Sequence, residues 1–460
     1  MVLLLALLVA APGCASHDWV TCRKAPRNPL VGPLRLLSDA GPQATPRTEQ
    51  FLRQSDLQDA AQLAPHEMLA QLQERVADEP TPDGMYAIAE LAYIEGFKAQ
   101  QRGDKSLALD MYSASVAHAY MYLLDERFAA SRNAYDPQYR RACELYNTGL
   151  EGTLRIVTDG GRLRPGEVLR VTAGQHEFDV QVAMRGRWNL DEIERFEFAS
   201  DYEVNGLVNH NHTFGLGVPL IAIRKTGATS DAVEQFYPPG VTLPITAFLR
   251  VNPHRRYGPR AEDEAGGQTV GSCVLELYDP LDATEIVAEN RRVPLESDLS
   301  VPLAYFLNQP AFREGSSRNI AYLGFLNPNA GQQVEGLYML EPYDPKKIPV
   351  VLVHGLASSP VTWTDMYNDL RSDPDIRKSY QFWFYFYPTG QPFWVSGQQF
   401  RRELADALAV LDPQGDAQPL DQIVLVGHSM GGLVSRLQTL DSREDYWHLV
   451  SDASPEELQG

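Results

Sequence analysis

Hydrophobic and polar positions change pattern several times along this chain, and each change predicts a different kind of structure. The first stretch, "MVLLLALLVAAPGC", is almost uniformly apolar over residues 1–14. From 15 to 65 the chain is rich in Pro, Gln, Arg and Ala with no sustained period, which reads as an irregular tether. Residues 66–150 turn helical: Ala89 to Leu124 sets small or apolar residues at helical spacing on either side of Gly103-Asp104, a helix-breaking pair. Two packed helices are predicted there. Residues 151–345 carry short apolar runs such as "PLIAIR", "TLPITAFLRV" and "SCVLELYD", divided by Gly, Pro, Asn and Asp. An antiparallel, β-rich accessory domain is expected. From 346 to 460, apolar strands alternate with amphipathic helices, the pattern of a parallel sheet covered on both faces. The strands are "IPVVLVHGL", "YQFWFYFYP" and "DQIVLVGHS". Phe400, Leu404, Ala407, Leu408 and Leu411 mark the sheet-facing stripe of one helix, and Met430, Leu433, Val434, Leu437 and Leu440 that of the next.

Composition narrows the choice of partners. With 44% hydrophobic and 22% charged residues over 460 positions, the chain has a globular composition and room for two or three domains. A formal net charge of −20 opposes approach to phosphate backbones, so nucleic-acid binding is not expected. The N-terminal apolar run is too short to span a bilayer and reads as a targeting segment. It ends in Ala11-Pro12-Gly13-Cys14 and resembles a bacterial lipoprotein signal. That resemblance implies acylation of Cys14 and a lipid anchor in the bacterial cell envelope, with an ordinary secretory signal as the alternative. Cys22, Cys143 and Cys273 are scattered and suggest neither a disulfide framework nor a zinc site.

Two further features bear on organisation. The Ala89 to Leu124 unit resembles a tetratricopeptide hairpin, with Gly96, Gly103, Ala108 and Tyr112 at matching spacings. A lone hairpin cannot bury its own apolar face, so it is expected to pack on the rest of the protein. In "VNHNH", His210 and His212 would project to one side of a strand. No third ligand stands at a metal-binding spacing, so they read as loop histidines; no metal and no cofactor is expected. Arg260 to Gln268, acidic and glycine-rich, reads as a surface loop.

The chemistry concentrates where the last strand meets its helix. Gly427-His428-Ser429-Met430-Gly431 fits G-x-S-x-G. A serine between a strand end and a helix start needs unusual backbone angles, and glycines two before and two after it let the turn close. Ser429 Oγ would then stand clear of the sheet beside the positive end of the helix. His428 belongs to the motif but is not assigned as the base. Upstream, His354-Gly355-Leu356 ends another strand, where a turning backbone can aim an amide at the same spot. The amides of Leu356 and Met430 would stabilise a tetrahedral oxyanion by roughly 3 to 4 kcal/mol each. These two signals together resemble the α/β-hydrolase family, especially its bacterial lipases and esterases with an H-G-L-x-x-S-x-x-x-W type stretch, here His354 to Trp363. The resemblance covers about Lys346 to Asp441 and implies a partial α/β-hydrolase parallel sheet. It also implies hydrolysis of carboxylic esters, including lipids, through an acyl-enzyme on Ser429.

In that family the acid and the histidine follow the serine. Here the chain ends 31 residues beyond Ser429, with His448 the only later histidine and Asp441, Glu444, Asp445, Asp452, Glu456 and Glu457 the later carboxylates. A helix running through Leu440 would carry the chain roughly 18 Å from the elbow, the wrong direction for His448 to serve as base. The chain is therefore expected to hold the N-terminal half of a hydrolase domain, as a truncated product of a longer lipoprotein hydrolase with impaired or no activity. A non-catalytic envelope lipoprotein, acting as a scaffold or binding a partner through the helical hairpin or the β-rich domain, is the alternative from another class, and acyl transfer shares the same serine.

Overall fold

In the computed structural model the described residues are 18–25, 27–32, 34, 41–158, 169–173, 176–251, 271–309, 335–440 and 451. Cys14 with the rest of the apolar N-terminal run, the loop at 260–268, His448 and the six carboxylates after Ser429 lie outside them. Two compact units share the chain: one takes Asp18–Ser230 and Pro239–Asn308, the other Asp231–Pro238 and the described chain beyond Gln309.

The first unit begins with β1 (Val20–Cys22) and continues through α1 (Pro46–Gln54), α2 (Pro65–Asp78), α3 (Pro82–Gln101), α4 (Lys105–Leu124) and α5 (Pro137–Val157). Helix α1 falls in the stretch expected to be irregular. Only Thr48 and Leu52 of its residues are buried, too few to write a period into the sequence. The α3–α4 hairpin is where the pattern places it. Thr81 caps α3 by accepting from the Gly84 N–H, with Pro82 in the first turn. The left-handed turn between the two helices is made by Gly103 (φ 79°), and Asp104 caps α4 through the Leu107 N–H. The α4 helix has 14 of its 20 residues buried, so it is enclosed on nearly every side. A Cβ on Gly96 of α3 or Gly152 of α5 would come within 2.8 Å of the Tyr112 ring, which shows how closely the three helices meet.

This unit also holds β2 (Leu169–Ala173), β3 (His176–Arg185), β4 (Ile193–Phe198), β5 (Tyr202–Val204), β6 (His212–Thr213), β7 (Val218–Arg224), β8 (Thr242–Val251), β9 (Gly271–Tyr278), β10 (Glu285–Ala288), β11 (Arg291–Pro294), β12 (Ser297–Asp298) and α6 (Ser300–Leu307). The main sheet has the order β2-β3-β9-β8-β7-β4. It corrects the antiparallel expectation at one place: β3 and β9 run parallel. Apolar runs identify strands but say nothing of a partner nearly a hundred residues away. Helices and sheet share a core, for the Tyr146 hydroxyl on α5 donates to the Leu249 carbonyl of β8 and accepts from its N–H, beside the Phe248 ring.

The second unit is built on β13 (Gly336–Met339), β14 (Ile348–Val353), β15 (Tyr380–Phe386) and β16 (Val424–Gly427), in the order β13-β15-β14-β16. β14 pairs parallel with both β15 and β16, whereas β13 is antiparallel to β15. Around them run α7 (Thr364–Ser372), α8 (Pro374–Ser379), α9 (Phe393–Leu411) and α10 (Met430–Leu437). Phe400 and Ala407 of α9 and Val434 of α10 are fully buried against Val351, Val353 and Trp383 of the sheet. Leu433 and Leu440 leave the predicted stripe of the last helix: they are 51% and 41% exposed. Leu433 sits one position off the Met430–Val434–Leu437 line, and Leu440 lies past the helix end. No helix among the described residues is long and apolar enough to cross a membrane.

Candidate active site

Parallel strands deliver their C-terminal ends to one edge of a sheet, and at that edge the three loops after β14, β15 and β16 converge. The loop after β16 is the tightest. The His428 N–H donates to the Val353 carbonyl at the end of β14, while Gly431 and Gly432 donate back to the carbonyls of His428 and Ser429. The chain therefore reverses from strand to helix within a few residues. Both flanking glycines are required sterically. A Cβ on Gly427 would lie 2.4 Å from the Gly431 oxygen, and one on Gly431 only 2.3 Å from the Val353 oxygen.

Ser429 itself takes φ 53° and ψ −120°, neither right-handed nor ordinary left-handed helix. Such a conformation costs a side-chain-bearing residue on the order of 1–3 kcal/mol and persists only where the surroundings impose it. The side chain does not cap the helix it precedes, and the residue is exposed. Among the described residues Ser429 Oγ has no hydrogen-bond partner. Met430 opens α10, so its N–H belongs to the first turn, whose amides have no acceptor inside the helix.

The loop after β14 lies against this elbow. A Cβ on Gly355 would meet His428 Nδ1 at 2.8 Å and Ser429 Cβ at 3.2 Å, so glycine here is what allows the close approach. His354 is fully buried, stacked on the Tyr387 ring at 4.4 Å. Burial brings its imidazole down to about 4, against weaker opposing hydrogen bonds to Gly355 and Tyr387, so it is neutral at neutral pH. Nε2 accepts from the Tyr387 N–H, which leaves the proton on Nδ1 to donate to the Gly355 carbonyl at 3.1 Å. The Tyr387 hydroxyl donates to the His354 carbonyl at 2.7 Å. His354 thus holds the loop from beneath, with no nitrogen left for proton transfer.

Leu356 follows at 52% exposure, and its N–H, like that of Met430, has no acceptor among the described residues. Ala357, at φ 51°, donates instead to Thr389 Oγ1 in the turn after β15. The His428 ring stands edge-on to Trp363 at 6.5 Å and beside Gly355.

The structure therefore brings Ser429, Gly355, His428, Gly427 and Gly431 together, with His354 beneath and Leu356 alongside. Sequence reasoning passed over Tyr387 and Thr389. One signal pointed to them: "YPTGQP" follows a parallel strand, the place where such sheets carry their sites. His210 and His212 belong to the first unit and are held by carboxylates, His210 by Asp298 at 2.6 Å and His212 by Glu296 at 2.9 Å. Among the described residues no group of three or more His, Cys, Asp or Glu could hold a metal ion.

An exposed serine strained onto a helix N-terminus, near amides with no acceptor among the described residues, has the placement of a nucleophile beside oxyanion donors; a base to activate it is the remaining requirement. Comparison with known proteins agrees at the level of the fold: residues 344–456 match the family described as PGAP1-like alpha/beta domain, which is α/β-hydrolase-like and related to lipases and esterases. No curated protein and no solved structure matches the chain.

Proposed function

We propose that this chain is a serine ester hydrolase in which Ser429 is acylated while the Leu356 and Met430 amides hold the oxyanion. The observation that carries the reading is the backbone of Ser429, held at φ 53° and ψ −120° with its hydroxyl exposed and unbonded among the described residues. Strain of this kind in a non-glycine residue secures no hydrogen bond for its hydroxyl among the described residues; presenting a nucleophile accounts for it. The α/β-hydrolase-like match over 344–456 supports the same chemistry. The exposed Leu356 and Trp394, on the loop after β14 and at the start of α9, suit an ester with an apolar acyl group.

A non-catalytic reading has one observation in its favour. Among the described residues neither histidine nor carboxylate is hydrogen-bonded to Ser429, and a serine without a base is a poor nucleophile at neutral pH. A fluorophosphonate probe separates the two. Covalent labelling of the full chain that disappears in Ser429→Ala is the expected result; folded protein that takes up no probe would establish the scaffold reading instead.

A further inference from the structure

We infer that Thr389 is a positioning residue for this reaction: by accepting the Ala357 N–H it keeps the neighbouring Leu356 N–H free and fixed beside Ser429. The inference rests on the reading of Ser429 given above, and it concerns a residue that no motif assigns.

Thr389 is 2% exposed, and its hydroxyl oxygen takes the Ala357 N–H at 3.1 Å, bridging the loops after β14 and β15. Ala357 needs such a hold. At φ 51° it occupies the left-handed region, which an alanine leaves readily when nothing retains it. On the other side of Leu356, the Gly355 carbonyl is taken by His354 Nδ1. In a trans peptide the C=O and the following N–H point in opposite directions, so this bond turns the Leu356 N–H away from the buried imidazole. Leu356 is thereby pinned from both flanks, by His354 through the peptide before it and by Thr389 through the peptide after it. Of the two successive amides in this turn, Ala357 is spent on Thr389 and Leu356 is left. Gly355, directly before, is the residue packed on Ser429.

The selective loss of this hold can be tested. Thr389→Val keeps the buried shape and removes the acceptor, while Thr389→Ser keeps the acceptor and removes a methyl. In the full chain, Val should lower the maximal rate of fluorophosphonate labelling at Ser429 by roughly tenfold or more, part of what losing a whole oxyanion donor costs. The probe concentration giving half that rate should not move, and Ser should recover most of the loss. Ala357→Gly placed on Thr389→Val should also recover part of it, because glycine holds φ 51° without a clamp. Amide exchange provides a readout independent of rate: Val must speed exchange at Ala357 and leave β14 and β15 protected. Labelling in Thr389→Val equal to the parent, or unchanged exchange at Ala357, would overturn the inference while leaving Ser429 as nucleophile. A parent chain that takes up no probe would remove both.

Discussion

At the scale of single residues, the elbow sets a local conflict between stability and exposure of a hydroxyl. The angles of Ser429 are close to the mirror image of an ordinary extended conformation, which glycine adopts as easily as its counterpart. Ser429→Gly should therefore relieve the strain and, after allowing for the greater freedom of an unfolded glycine, stabilise the protein by about 1 kcal/mol. Ser429→Ala keeps a Cβ and should give no such gain. Urea unfolding of the two variants side by side decides the matter; a glycine variant no more stable than the alanine one would mean that the turn is not strained. The opposite holds at Gly431, where a Cβ would sit 2.3 Å from a backbone oxygen that cannot move aside. Gly431→Ala should cost about 1–3 kcal/mol in the same experiment and abolish labelling by opening the turn. This corner was legible in the sequence because its chemistry is local: five consecutive residues specify the turn, and the glycines have no other reason to be there. Thr389 was not legible, since its role comes from a loop more than thirty residues from Ala357 and a threonine in a turn has many uses.

At the scale of elements, the short β6–β12 pair shows a different kind of specification. His212 pairs in register with Asp298, and around it stand Glu296, Asp298, His210 and the Phe214 ring. Burial alone would lower the His212 pKa, but hydrogen bonds to Asp298 and Glu296 raise it to about 9. Asp298 is buried too, which would raise it, yet bonds from His210 and His212 bring it down to about 2. Asp298 also caps α6 through the Ser300 and Val301 amides, so the cluster joins strand to helix. A histidine raised above its ordinary value contributes stability in full below about 6.5 and loses it as the pH rises through about 9. Unfolding midpoints between pH 6 and pH 10 should consequently fall for the parent, and His212→Gln should flatten that slope. Equal slopes in the two proteins would show that the ion cluster is not coupled to folding. The sequence reads both as loop histidines; His210 is one, but His212 opens β6, and the carboxylates that hold the two rings lie more than eighty residues on. Orientation was hidden for the same reason in β13, whose residues carry no mark of running antiparallel to β15. The long apolar strands β14 and β15 were plain, because strands covered on both faces must be apolar throughout.

At the scale of the whole molecule, the hydrolase-like unit is not a continuous piece of chain. Residues Asp231–Pro238 leave the sequence of the first unit and join the second, between β7 and β8 of the other sheet. Phe236 is 5% exposed and packs in one core with Leu337 and Met339 of β13, and the Tyr237 hydroxyl accepts the Tyr343 N–H at 3.1 Å. A linear reading that begins the hydrolase domain near Lys346 misses this segment, since its short apolar run has the look of any β-rich loop. Its contribution is that of a core residue. Phe236→Ala should destabilise the second unit by about 3–5 kcal/mol, a value set by how far the cavity collapses. Because the segment belongs to one unit and the strands flanking it to the other, the loss should be selective. Amide protection should fall in β13 and β15 and hold in β7 and β8, measured by native-state hydrogen exchange on the full chain. Protection falling equally in both sheets would mean that the two units unfold as one, and unchanged protection in β13 would mean that the inserted segment is ornament rather than core.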